Sequence, residues 1–205
     1  NVSFDESVLF FSMEMPKSQV IDRNVAALGK IPMGWLKMPN DNPEHWNRLT
    51  TSVSKIQQMK LNIDDETMLT MAKIRSKSRR IKRKRGLSLI IIDQLSFITG
   101  SRSEKSYEAV GEYTRGAIQI AKELDVPVIL LAQLNRECEK RHDKRPMLSD
   151  LATSGSIEQD ANTILFLYRD EVYNPDSIDR GICEVIIAKQ RQGENGTVPL
   201  EYHGA

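Results

Sequence analysis

Three polar side chains in this sequence stand where apolar runs end: Glu14 follows the run at 8–13, Asp93 closes the run at 87–93, and Gln133 closes the run at 126–133. An acid after an Ile-rich strand is the arrangement by which phosphoryl-transfer ATPases hold Mg2+, usually through water. A second carboxylate within hydrogen-bond reach can orient an attacking water and take its proton. An amide can donate to a phosphate oxygen without adding charge. Together the three have the composition of a nucleotide-hydrolysing edge, although a hydrophobic run ending in Asp also suits a simple cap on the next helix. Lys189 and Arg191 add two cations at i and i+2, a spacing that sends both to one side of a strand and toward a single phosphate. The same pair would equally suit a solvated edge strand whose charges discourage aggregation.

To converge, these residues need a scaffold. The runs at 8–14, 87–93 and 126–133, with a fourth at 163–170, lack polar alternation and fit strands buried on both faces of a parallel sheet. Open α/β sheets bind ligands outside the carboxyl ends of their strands, so Glu14, Asp93 and Gln133 are expected to share one crevice. Between the strands, Pro16 opens a helix with Val20, Val25, Ala26 and Leu28 inward, closed by Gly29 and Pro32. Trp46, Leu49, Val53 and Ile56 describe a second amphipathic helix, residues 61–64 a short strand, and Val110, Ile118, Ile120, Ala121 and Leu124 a further helix. Residues 100–106 read as a mobile loop. Strand and helix in alternation predict right-handed crossovers and an α/β fold.

Composition narrows the class without naming it. A chain of 205 residues, 28% charged and 40% hydrophobic with net charge +1, suits one domain with a sizeable core and argues neither for nor against nucleic acid. Cys138 and Cys183 offer no disulfide framework, and His45, His142 and His203 no metal-ligand spacing. The methionines read as core filler, and Trp35 and Trp46 as anchors for the early helices. No apolar stretch reaches the ~20 residues that span a bilayer, and a cytoplasmic protein is expected. Residues 70–85 are strongly basic. They read first as a solvated helix with Ile74 and Ile81 inward, and second as a phosphate-binding face without the aromatic residues a single-strand platform needs. Nowhere does the pattern G-x-x-x-x-G-K-S/T occur, so these residues alone are expected to bind ATP poorly and to be inactive. The abrupt start, without an initiator methionine, reads as a piece of something longer.

The segments Phe10-Phe11-Ser12-Met13-Glu14-Met15-Pro16, Ile90-Ile91-Ile92-Asp93-Gln94-Leu95, Ala132-Gln133-Leu134-Asn135-Arg136, Ser154-Gly155-Ser156-Ile157-Glu158-Gln159-Asp160-Ala161 and Ala188-Lys189-Gln190-Arg191 resemble, in this order, those of DnaB-type replicative helicases. The resemblance covers nearly the whole chain. It implies a single RecA-like domain over 1–205, truncated at its amino end. Its fold would be a mostly parallel twisted sheet flanked by helices, with a C-terminal β-hairpin. It also implies a homo-hexameric ring that uses ATP and Mg2+ to move 5′ to 3′ on single-stranded DNA and unwind duplex. A primase and a helicase loader would bind through regions outside these residues.

By that likeness Glu14 is the catalytic carboxylate, Asp93 the acid associated with Mg2+ through water, Gln133 the γ-phosphate sensor, and Arg23 a neighbour of the nucleotide. Lys189 and Arg191 become an arginine-finger pair reaching into the next subunit. Residues 148–156 match the family's DNA-contacting loop, with Thr153, Ser154 and Gly155 at its centre. The same loop also reads as a helix start near Ile157 capped by Ser154 or Ser156. The chain departs from many bacterial relatives at Ala152-Thr153, where they carry Arg-Glu, and at Gln94, where they often carry Tyr. A phage-encoded or otherwise divergent source is therefore expected. A recombinase or clock-type ATPase would share the sheet and the acids, but not the 154–161 run or Lys-Gln-Arg. A non-catalytic single-strand-binding or helicase-loading module would not need Glu14, Asp93, Gln133, Lys189 and Arg191 together.

Overall fold

The computed structural model describes residues 7–99, 107–151 and 154–203, and of residues 107, 108 and 154 the backbone only. The loop expected at 100–106, together with Ala152 and Thr153, lies outside the described residues. Those described fall into two compact units, one of residues 7–99 and 116–132, the other of residues 107–115 and 133–203.

In the first unit β1 (Val8–Ser12), β2 (Leu61–Asp64), β3 (Leu89–Asp93) and β4 (Val128–Leu130) form a sheet in the order β2-β1-β3-β4. Every pairing is parallel. Leu9, Phe11, Ile90 and Ile92 are buried at every second position, so one face carries the deep core and the other is only half covered. That differs from the expectation of strands buried on both faces. At the sheet's end, Ile129 of β4 is exposed.

The connections are helical. Pro16, at φ −64° and ψ 150°, precedes α1 (Lys17–Gly29), whose buried face holds Val20, Val25 and Ala26, while Leu28 faces outward. Gly29 lies inside the last turn, and Lys30 takes the left-handed cap at φ 50°. A short α2 (Met33–Lys37) follows. Then α3 (Pro43–Gln58) starts at Asn42, whose side chain accepts from the Glu44 and His45 N–H groups. Its inward stripe is His45, Leu49, Ser52 and Ile56; Leu49 and Ile56 were expected there, whereas Trp46 and Val53 are exposed and His45 and Ser52 take their places. Trp35 is the buried anchor, meeting His45 and Trp46 edge-on.

The basic run forms α4 (Met71–Arg85), capped by the Thr70 side chain and ended by Gly86 at φ 73°. Ile74 and Ser78 are its buried residues and Ile81 is half-buried. Lys73 and Lys77 pair with Glu66, Lys77 also with Asp64, and Arg75 and Arg79 with Glu123. Hydrogen bonds from Lys73 and Lys77 hold the Glu66 carboxyl down at about 2. These pairings support the reading of a solvated, charge-balanced face. The next helix, α5 (Tyr107–Leu124), buries Ala117 and Ile120 in this unit. Met13 fills core, as expected of the methionines, but Met38, Met68 and Met147 are exposed.

The second unit carries the correction to the four-strand reading. After α6 (Ser154–Asp160), the fourth run becomes β5 (Thr163–Tyr168) in a separate sheet, antiparallel to β6 (Ile182–Gln190), which pairs antiparallel with β7 (Gly196–Glu201). Ile164, Phe166 and Tyr168 are buried while the residues between them are exposed. Ile164 and Phe166 pack with Leu151, and around them lie Leu134, Leu148, Ile157, Ala161, Ile186 and Ala188. The expected C-terminal hairpin is β6–β7. Cys138 is buried, Cys183 is half-buried, and both are free thiols.

Candidate active site

At the carboxyl edge of the parallel sheet, Ser12 and Asp93 are register partners, and the Met13 N–H donates to the Asp93 carbonyl at 2.8 Å. That bond carries the pairing one residue past β1. The Ser12 hydroxyl then donates to the Met15 carbonyl at 2.7 Å and closes a turn over residues 12–15. Glu14 stands exposed on this turn. The Lys17 N–H donates to Asp65 at 2.8 Å, so the end of β2 fixes the start of α1.

Glu14 is held from the neighbouring strand: Gln94 Nε2 donates to Glu14 Oε2 at 3.0 Å, and Gln94 itself is only 5% exposed. A buried amide thus steers an exposed carboxylate. Next to it, burial pushes the Asp93 carboxyl above its ordinary range; the Glu14 charge pushes the same way and Arg23 of α1 opposes. The two acids therefore converge as their strand ends predicted, and Arg23, which only the resemblance named, stands close enough to act on Asp93. Their electrostatics fit a bound cation, since two carboxylates in mutual repulsion at a partly desolvated edge are relieved by one. Among the described residues no group of three or more His, Cys, Asp or Glu forms a metal cage.

Gln133, exposed, begins the second unit beyond β4. Its neighbour Leu134 bridges Leu151 antiparallel, and the Asn135 N–H donates to the Asp150 carbonyl at 2.7 Å. Lys189 and Arg191, at the end of β6, do share one side. Lys189 Nζ donates to the Glu158 carbonyl and, at 3.4 Å, to that of Gln159, while Arg191 Nη2 donates to the Gln159 carbonyl at 2.6 Å. Both cations sit on the last carbonyls of α6, where the helix dipole favours positive charge.

In the segment expected to contact DNA, α6 begins at Ser154, three residues before the start expected near Ile157. Ser154 and Gly155 are in its first turn, where N–H groups have no intrahelical acceptor. A Cβ at Gly155 would meet nothing within 4 Å, so that position faces open space. Just upstream, Asp150 is 4% exposed and accepts from Arg141 at 2.6 and 2.7 Å and from the Met147 N–H at 2.9 Å. Gln94, Arg141 and Asp150 escaped sequence reasoning as functional supports. For Gln94 the signals were its position beside Asp93 and its departure from the Tyr of many bacterial relatives; Asp150 lay within the segment at 148–156, and for its pairing with Arg141 there was no signal.

Comparison with known proteins follows this geometry. Residues 1–205 match the family described as DnaB-like helicase C terminal domain. A replicative DNA helicase DnaB from Geobacillus stearothermophilus is 44% identical over 200 residues, covering 97% of this chain and 44% of that protein. The chain thus spans less than half the length of the curated relatives it matches. A solved structure of a DnaB-like replicative helicase, described with its interactions with primase, superposes with a TM-score of 0.91 at 40% identity, over 96% of this chain and 48% of that one. A second, described as an ATPase domain, gives the same TM-score and identity over 96% of this chain and 71% of the other.

Proposed function

The chain belongs to the DnaB-like helicase C-terminal domain family, and from that premise we propose that it is the motor part of an ATP-dependent replicative DNA helicase. In this reading Glu14 orients the attacking water and accepts its proton, with Gln94 fixing the carboxylate. Asp93 would hold Mg2+, and Arg23 lies beside the nucleotide. Gln133 donates its amide to the γ-phosphate. Mg2+, when bound, neutralises charge developing on the phosphates. Lys189 and Arg191 leave the α6 carbonyls and reach the nucleotide of the adjacent subunit in a homo-hexamer. Thr153, Ser154 and Gly155 contact the DNA backbone through main-chain N–H groups, which suits a motor that must pass over any sequence.

The observation that carries this reading is the Glu14, Gln94 and Asp93 arrangement at the edge of a parallel sheet. A single domain over 1–205, 5′-to-3′ movement, a cytoplasmic location, and primase and loader contacts outside these residues belong to the same proposal. Among the described residues no helix is long and apolar enough to cross a membrane. The test is ATP hydrolysis and fork unwinding by the full-length polypeptide beside its Glu14→Gln variant. Loss of general-base catalysis is expected to cost about 10²–10⁴ in turnover with nucleotide binding retained. Undiminished turnover in Glu14→Gln would overturn the assignment.

A further inference from the structure

Arg141 touches no residue of the proposed catalytic set, yet it organises the segment that joins two of its parts. Its Nη1 and Nη2 grip the two carboxylate oxygens of Asp150 at 2.6 and 2.7 Å. The same Nη2 donates to the Arg145 carbonyl at 2.9 Å, and Nε to the Asp143 carbonyl at 3.3 Å. One guanidinium therefore ties the whole excursion from 141 to 150. Arg–carboxylate forks fix orientation as well as distance, because both parallel bonds must be satisfied at once.

What the fork fixes lies between Gln133 and the DNA-contacting segment. On one side the chain leaves Gln133, bridges Leu134 to Leu151, and donates from Asn135 N–H to the Asp150 carbonyl. On the other side, Leu151 sits buried against Ile164 and Phe166, three residues before α6 begins. Asp150 is held from both directions, through its carbonyl by the Asn135 N–H, two residues past Gln133, and through its carboxylate by Arg141. Burying that carboxylate without Arg141 would leave a charge with only the Met147 N–H to answer it, a costly state that the chain avoids by moving.

We propose that Arg141 is a positioning residue that couples the start of α6 at Ser154, where DNA contact is proposed, to Gln133, so that binding of single-stranded DNA reaches the nucleotide site through the Arg141–Asp150 fork. The inference rests on the motor reading above. Because Arg141 acts through Asp150 rather than on a phosphate, its loss removes coupling without removing an ionic contact to DNA.

The test uses the full-length hexamer with Arg141→Ala and the milder Arg141→Lys, which keeps the charge and loses the fork. ATP turnover is measured with and without saturating oligo-dT. Affinity for oligo-dT is measured across a salt series with a non-hydrolysable ATP analogue, and thermal unfolding confirms that each variant is folded. Stimulation of turnover by DNA is expected to fall about tenfold in Arg141→Ala, in the range of ordinary coupling between sites, and partly in Arg141→Lys. DNA-free turnover is expected to hold, as is the salt slope, which a lost phosphate contact would lower by about 1. Full stimulation in either folded variant overturns the proposal, and so does a lowered salt slope or a parallel collapse of DNA-free turnover in a folded protein. If Arg141→Ala does not fold, Arg141→Lys decides by the same readings. A parent protein whose turnover ignores DNA refutes the motor reading itself, an outcome separate from any defect confined to the variants.

Discussion

In the proposed reaction Glu14 is the general base, and the Gln94 amide 3.0 Å away aims its carboxylate. Hydrogen bonds to charged groups are worth about 1.5–3 kcal/mol, so Gln94→Ala is expected to lower kcat about tenfold to a hundredfold. KM for ATP should change little in steady-state assays, since Gln94 supports the base and not the nucleotide. Asp93 makes the opposite contribution to stability. Its folded-state pKa is raised, so between the ordinary carboxylate value and that raised one the folded state binds more protons than the unfolded, and stability falls as pH rises through that window. Above it the ionised, partly desolvated carboxylate is a standing cost. Asp93→Asn is therefore expected to raise the melting temperature at neutral pH while abolishing turnover, the usual trade at a functional carboxylate. A lowered melting temperature would contradict it. Glu14 and Asp93 were legible in the sequence because strand ends place residues by simple counting. Gln94's partner lies 80 positions away, and only the pairing of β1 with β3 brings the two together.

At the scale of elements, periodicity found the helices more surely than their inward faces. In α3 Leu49 and Ile56 face inward as expected, but His45 and Ser52 stand where Trp46 and Val53 were expected, and Trp46 meets Trp35 edge-on while remaining exposed. Gly29, the last residue of α1 as its reading as a helix terminator expected, also lies where α1 meets α3. An added Cβ would sit 2.7 Å from both Ile31 Cδ1 and Ser52 Oγ, and those side chains are buried. Alanine in a helix interior ordinarily gains about 0.5–1 kcal/mol over glycine. Here Gly29→Ala is expected to destabilise by about 1–3 kcal/mol through overpacking, measured by chemical denaturation. Net stabilisation would show that the α1–α3 contact yields easily. The run at 163–170 misled for a related reason. Its alternate residues, Leu165 and Leu167, are exposed, so a continuous apolar sequence conceals a period of two in burial. Hydropathy counts carbon, not neighbours, and could not separate this strand from those of the parallel sheet.

For the whole molecule, the two units divide the labour of the proposed reaction. The first carries Glu14, Asp93 and Gln94, and the second carries Gln133, the segment proposed to contact DNA, and the two cations. Lys189 and Arg191 are satisfied by α6 carbonyls within their own chain. Reaching a neighbour's phosphate therefore exchanges carbonyl acceptors for a stronger ionic one, which the charge-assisted character of the phosphate bond favours. No spacing rule could have revealed where those cations rest in a single chain, because their acceptors are main-chain atoms of a helix some thirty residues upstream. The claim that hydrolysis is shared between subunits is tested most directly by mixing. Full-length parent and Arg191→Ala protein are combined at fixed total concentration, and DNA-stimulated ATP turnover is followed against the fraction of variant. A finger supplied in trans contributes about 10³–10⁵ in rate. The pure variant should therefore be nearly silent, and mixed rings should fall below the straight line between the two pure proteins. A straight line, or an Arg191→Ala protein as active as the parent, would contradict the account.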